Sequence, residues 1–202
     1  MKIRSTFDAD KEKFFLNSLV ADYGDQQTYS KLKKEIILGL IDEVIQDGLK
    51  KSGMQMGCAN GYETQQLARR LGSLSVVDGS SQFVEKVSTD NRFMHVKFYC
   101  SLLEEMNQQE ELSERFDYIF CSYVLEHVSD VQTVLDQIKK LLKREGKLFV
   151  VVPNRDALSR RLAMEMGLVS DLKALTDNDL KHGHRRTFSR ASLLSEITSV
   201  RL

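Results

Sequence analysis

The chain has 202 residues, 42% of them hydrophobic and 29% charged, with Lys+Arg and Asp+Glu balanced at 29 each. That is the size and composition of a single globular domain with a substantial core, and the balance weighs against a nucleic-acid partner held by overall charge. Residues Met1 to Asp10 lack the apolar run of a signal peptide, no segment is long enough to span a membrane, and Cys58, Cys100 and Cys121 match no zinc spacing, so the expectation is a cytoplasmic chain with reduced, buried thiols.

From Tyr29 to Gln46, the residues Leu32, Ile36, Ile37, Leu40, Ile41, Val44 and Ile45 fall on one helical stripe, with Gly48 as a stop signal. A short strand ends at Met56, just before Gly57-Cys58-Ala59-Asn60-Gly61. A helix follows from about Tyr62 to Leu71, with Gly72 closing it in a left-handed cap. Leu74 to Val77 reads as a second strand ending at Asp78, and Ser80 or Ser81 caps the next helix. His95 to Cys100 is a third strand and Phe116 to Cys121 a fourth, where Tyr118, Ile119 and Phe120 mark burial on both faces. Asp130 opens a helix whose buried stripe is Val131, Val134, Leu135, Ile138, Leu141 and Leu142 and which Gly146 ends. Lys139, Lys140, Lys143 and Arg144 form its solvated side or last turn. The apolar run Lys147 to Val152 predicts a fifth, central strand, and a last helix covers about Arg190 to Ile197.

Strands alternating with helices predict an α/β, Rossmann-like, doubly wound and mostly parallel sheet with helices on both faces. Ligands of such sheets bind beyond the carboxyl ends of the strands. That edge gathers the Gly57–Gly61 turn, Asp78-Gly79, Ser101, Ser122 to His127 and Pro153-Asn154. Only Thr198 to Leu202 remain for further strands, so the C-terminal edge strands read as shortened or missing. The open edge would invite pairing with a second copy, a possible homodimer.

A glycine-rich turn with an acid about twenty residues on points to a nucleoside-containing cofactor. A dinucleotide needs glycine at the first, third and sixth positions of its fingerprint. Here those positions hold Gly57, Ala59 and Tyr62, and Tyr62 is too bulky for the third glycine's close packing. A cofactor with a nucleoside and no phosphate, such as S-adenosylmethionine, fits better.

From about Tyr29 to Phe188 the sequence resembles the class I S-adenosylmethionine-dependent methyltransferases. Gly57 to Gly61 is similar to their first motif, Asp78 to the acid that holds the ribose hydroxyls, and Ser101-Leu102 to the adenine-side pair. Asp117 to Val128 is similar to their fourth motif, and Gly146 to Asn154 to the strand after the next helix. The resemblance implies a cofactor site of Gln55, Gly57, Cys58, Asn60, Gly61, Asp78, Gly79, Ser101, Leu102 and Ser122. It also divides the chain into an N-terminal helical segment (1–47), a cofactor-binding core (48–155) and an acceptor-side lid with a C-terminal helix (156–202). Three positions depart from the pattern. Gln55 stands where most relatives carry an acid for the cofactor's amino group, Ser101 lacks an adenine-side acid, and Ala59 replaces a glycine.

On the acceptor side the candidates are Tyr123, Glu126 and His127 after the fourth strand, and His182-Gly183-His184-Arg185-Arg186 late in the chain. The segment from Glu126-His127 to His184 is similar to ubiquinone-biosynthesis O-methyltransferases and small-RNA terminal methyltransferases. There a carboxylate, a Glu-His pair and a later histidine hold a divalent metal. Glu126, His127 and His184 match three of these, but Tyr123 replaces the first carboxylate. We therefore assign no metal and read His127, His184 and Tyr123 as the catalytic candidates. Arg160, Arg161, Arg185 and Arg186 offer contacts to an acidic acceptor. The resulting expectation is methyl transfer to a hydroxyl of a small, acidic or glycan-like molecule. A catalytically weak binding module and an RNA methyltransferase are the alternatives.

Overall fold

The computed structural model describes residues 8–19, 28–108, 112 and 115–202. Five strands, β1 (Ser52–Met56), β2 (Ser73–Asp78), β3 (Val96–Cys100), β4 (Phe116–Ser122) and β5 (Leu142–Val151), form one sheet in the order β3-β2-β1-β4-β5. Every pairing is parallel. The helices between strands are α3 (Tyr62–Ala68), α4 (Ser81–Ser88) and α5 (Val131–Leu141). Before the sheet come α1 (Ala9–Ser18) and α2 (Thr28–Val44), and after it α6 (Leu158–Glu165), α7 (Asp177–Lys181) and α8 (Arg190–Ser199).

Strand alternation divides the interior in two. On one face Met54, Met56, Ile119 and Cys121 pack with Val134, Leu135 and Ile138 of α5. On the other, Val76, Tyr118 and Phe120 pack with Ile41 of α2 and Leu67 of α3. Phe120 stacks on Phe149 of β5 with ring centroids 5.0 Å apart. β1 lies in the middle of the sheet, so its carboxyl end, with β2 on one side and β4 on the other, becomes the natural ligand position.

The structure corrects several expectations. Among the described residues β5 pairs only with β4 and is an edge strand, not a central one. Its apolar residues are needed because Leu148 and Val150 pack on the α5 side while Phe149 packs on the α2 side. The preceding helix ends at Leu141, and Leu142 is already extended. Residues 143–146 form a bulge between the Phe116–Leu142 and Tyr118–Lys147 pairs, where Lys143 reaches back to Asp117 at 2.8 Å. Exposed charges on this bulge blunt the open edge.

The α2 stripe is too wide for one groove. Ile37, Ile41 and Ile45 pack inward, whereas Leu32, Ile36 and Leu40 are exposed. Gly72 is not left-handed. It is glycine because a Cβ there would lie 2.4 Å from the Leu49 carbonyl oxygen. Thr198 is helical and the chain turns after Ser199, so no strand forms over 198–202. Cys58 and Cys121 are buried, but Cys100 is exposed.

Candidate active site

The carboxyl ends of β1, β2, β4 and β5 open on one cavity of about 650 Å³. Its floor is the turn after β1, where Gly57, Ala59 and Gly61 all adopt positive φ (77°, 45° and 79°). Three left-handed residues in five reverse the chain tightly, and Ala59 does so against the ordinary preference of a side-chain-bearing residue. The Gly57 N–H bonds the Val77 carbonyl at 2.8 Å, and the Gly61 N–H closes onto Cys58 at 2.8 Å before α3 begins.

Asp78, at the tip of β2, fixes this turn. Its Oδ2 accepts the Cys58 N–H and its Oδ1 the Ser80 N–H, both at 2.8 Å. Burial pushes its carboxyl above the ordinary range, and the hydrogen bonds from Ser80 and Cys58 partly offset that. Each carboxylate oxygen still has a lone pair for a ligand hydroxyl.

Gln55 is buried on the other side of the turn. Its amide nitrogen donates to the Gly57 carbonyl at 2.9 Å, while its Oε1 is buried without a partner. Glu63, in the first turn of α3, lines the same region and accepts the Ser122 hydroxyl at 2.8 Å.

Cys58, Asn60, Gly79, Leu102 and Ser122 also line the cavity. The structure places Gly61 and Ser101 behind its wall. Gly61 closes against Val87 and Phe93, and the Ser101 hydroxyl donates to the Leu102 carbonyl.

A second cluster of polar side chains lies past β4. Tyr123 adopts φ 56° and donates its N–H to Val151 at 2.7 Å, a sharp exit that turns Val124 to Val128 over the strand ends. Glu126, His127 and His184 then converge, each offering a ligating atom within 4.8 Å of the others. The two imidazoles meet edge to face at 4.8 Å.

Burial pushes the Glu126 carboxyl up to about 8 and the His127 imidazole down to about 4, His184 adding to the latter. Both are therefore neutral at pH 7. Glu126 Oε2 and His127 Nδ1 are buried without hydrogen-bond partners. Once Glu126 gives up its proton, one carboxylate and two imidazoles form a donor set that fits a divalent transition-metal ion. Asp179 fixes His184 through its Nδ1 at 3.2 Å and pairs with Arg160 at 3.3 Å. The Thr176–Asp179 capping box at the start of α7 holds that carboxylate in place.

The arginines are mostly committed to the protein itself. Arg186 donates to the carbonyls of Leu125, Val128 and Ser129, which fixes the Glu126 segment. Arg160 donates to Leu172 and Ala174, and Arg185 pairs with Glu12 of α1. An acidic ligand held by the set of four is thus at odds with three of them.

Sequence reasoning missed Glu12 and Leu16 of α1, Glu63 and Asp179. For Glu63 a signal was available, because the first turn of a helix begun by the Gly61 cap points back at the strand tips.

A family model described as a methyltransferase domain matches residues 29–197. The chain belongs to that family. The class I S-adenosylmethionine-dependent methyltransferase resemblance read from the motifs is thereby borne out, as is its α/β sheet.

Among curated relatives, the ubiquinone biosynthesis O-methyltransferase of Coxiella burnetii is 29% identical over 108 residues, covering 52% of this chain and 45% of that protein. The human mitochondrial protein of the same description is 29% identical over 116 residues, covering 55% and 31%. The methyltransferase domain thus spans less than half the length of these relatives. Among solved structures, the N-methyltransferase NodS of Bradyrhizobium japonicum with S-adenosyl-L-homocysteine superposes at a TM-score of 0.63, with 20% identity and coverage of 92% and 85%. The plantazolicin methyltransferase BamL superposes at 0.67, with 18% identity and coverage of 96% and 72%. At these identities the likeness is one of fold. Among the described residues, no helix is long and apolar enough to cross a membrane.

Proposed function

We propose that this methyltransferase domain binds S-adenosylmethionine over the Gly57–Gly61 turn and methylates a hydroxyl oxygen of a small molecule held against Glu126, His127 and His184. The observation that carries the reading is that Glu126 and His127, whose Oε2 and Nδ1 are buried without hydrogen-bond partners, line the same cavity as the turn and Asp78. Buried polar atoms without partners are costly, and a ligand hydroxyl supplies the missing bonds. The names of the curated relatives also favour oxygen as the methyl acceptor.

The bound cofactor supplies an electrophilic methyl carbon on a sulfonium. Asp78 accepts the ribose hydroxyls, and the left-handed turn lets the backbone approach the ligand closely. The protein's task at the reacting centre is alignment. The methyl carbon would be the electrophile for in-line transfer to the acceptor oxygen, its former bonding pair staying on sulfur, and His127 would take the hydroxyl proton. The neutral imidazole is available for this because burial keeps it unprotonated at pH 7. Asp179 holds His184 in one orientation beside it.

The test is S-adenosylhomocysteine release with matched phenol, alcohol and amine acceptors. Turnover with hydroxyl acceptors is expected, lost by about 10²-fold or more in His127→Ala. Transfer to amines alone would overturn the oxygen assignment.

The same two unpartnered atoms favour a second reading, in which Glu126, His127 and His184 hold a divalent cation that acidifies the acceptor hydroxyl. Calorimetric titration with Mg²⁺, Mn²⁺ and Zn²⁺ separates the two. Binding that Glu126→Ala and His184→Ala each abolish supports the metal, and no heat with any ion excludes it.

A further inference from the structure

Gln55 holds the place where the class I resemblance implies an acid for the cofactor's amino group. It is 2% exposed and brings an acceptor, Oε1, without a charge or a partner. The cofactor's amino-acid tail carries an ammonium, and a neutral amide meets it less strongly than a carboxylate does.

The chain has another carboxylate on the same wall. Glu63 stands six residues after Gly57, in the first turn of α3, and lines the cavity together with Gln55 and Ser122. The Ser122 hydroxyl, at the tip of β4, donates to Glu63 Oε1 at 2.8 Å, which anchors the carboxylate at the cavity wall. The order of the sheet gives the direction of the cofactor. Asp78, the ribose acid, sits on β2 to one side of β1, whereas Ser122 sits on β4 to the other. A nucleoside over Asp78 therefore extends its tail past the β1 tip, where Gln55 and Glu63 are.

We propose that Glu63 supplies the anionic contact to the ammonium of the cofactor's amino-acid tail, in the place that Gln55 leaves uncharged. Gln55 Oε1 is the neutral second acceptor, and Ser122 is a positioning residue for the carboxylate. The acid has moved from a strand end to the helix that follows. This rests on the cofactor reading above. The other evident uses of Glu63 are to face the Lys34 charge, which favours its carboxylate, and to complement the helix dipole, and either alone would make Glu63 indifferent to the ligand's tail.

Two ligands distinguish these uses. S-adenosylhomocysteine carries the ammonium, whereas 5′-methylthioadenosine keeps the nucleoside and thioether and lacks the amino acid. In calorimetric titrations, Glu63→Gln is expected to weaken S-adenosylhomocysteine by about tenfold or more while leaving 5′-methylthioadenosine within about twofold. Adding Gln55→Glu to that variant returns the carboxylate to the strand end and restores most of the affinity for S-adenosylhomocysteine. If Glu63→Gln folds poorly, Ser122→Ala is the second variant, with a smaller selective loss of about threefold. Unchanged affinity for S-adenosylhomocysteine in Glu63→Gln, or equal weakening of both ligands, overturns the assignment and leaves the cofactor reading standing. A wild-type chain that binds neither ligand overturns both.

Discussion

Asp78→Asn tests the centre of the cofactor half. Both Asp78 oxygens already accept backbone N–H groups, from Cys58 and from Ser80, at 2.8 Å. Asparagine has one acceptor oxygen and one NH₂, so in either orientation an N–H faces an N–H. A buried donor left unpaired costs about 1–3 kcal/mol, and relief from burying a charge offsets part of that. The unfolding free energy of the unliganded chain is therefore expected to fall by about 1–2 kcal/mol. The ligand loses more than the chain does. Two ribose hydroxyls exchange charge-assisted bonds for neutral ones, a loss of about 2 kcal/mol or roughly 30-fold in Kd. Urea unfolding without ligand and calorimetry with S-adenosylhomocysteine measure the two quantities separately. A variant with an unchanged unfolding midpoint that binds S-adenosylhomocysteine within about twofold of the parent would refute the reasoning.

Asp117 governs acid stability. Burial works to raise its carboxyl, but hydrogen bonds from Lys143 and Ser52 outweigh that and hold it well below the ordinary value of 3.8. The folded chain therefore binds fewer protons than the unfolded chain below that pH, and stability present above it is lost as the pH falls. Unfolding curves should show a shallower decline below pH 3.8 in Asp117→Asn than in the parent. Gly72→Ala puts a Cβ 2.4 Å from the Leu49 carbonyl oxygen and is expected to cost about 1–3 kcal/mol by urea unfolding. Gly39→Ala is its counterpart, because nothing lies within 4 Å of that exposed helical position. It should stabilise by about 0.8–1 kcal/mol in the same assay. Asp179→Asn removes the group that orients His184, so kcat is expected to fall by about 10–100-fold with the Kd for S-adenosylhomocysteine unchanged.

The parts of this molecule that sequence reveals are those where one residue meets one demand. The turn at Gly57–Gly61 needs left-handed backbone, Asp78 ends a strand of Leu74 to Val77, and α5 buries one face at a helical period. These follow from local rules. The misplaced features depend on what lies across the fold. The apolar run of β5 reads the same whether a strand is central or is an edge covered by side chains on both faces. Gly72 reads as a cap, yet what demands it is the Leu49 backbone more than twenty residues away. Arg160, Arg185 and Arg186 read as a ligand-facing basic set, but loop carbonyls and acids on α1 and α7 claim them. Glu63 looks like an ordinary helix-dipole acid until the cavity shows what it borders.

The first helix has a consequence for how the two halves work together. Asn17 of α1 accepts the Ser80 hydroxyl at 2.7 Å, beside Asp78, while Glu12 of the same helix pairs with Arg185, next to His184. Glu12 and Leu16 also line the cavity between those anchors. One ten-residue helix is thus pinned near its two ends to the two halves of the proposed site. Whatever loosens one pin is felt at the other, and kinetic constants for donor and acceptor measured on variants of this helix will not vary independently.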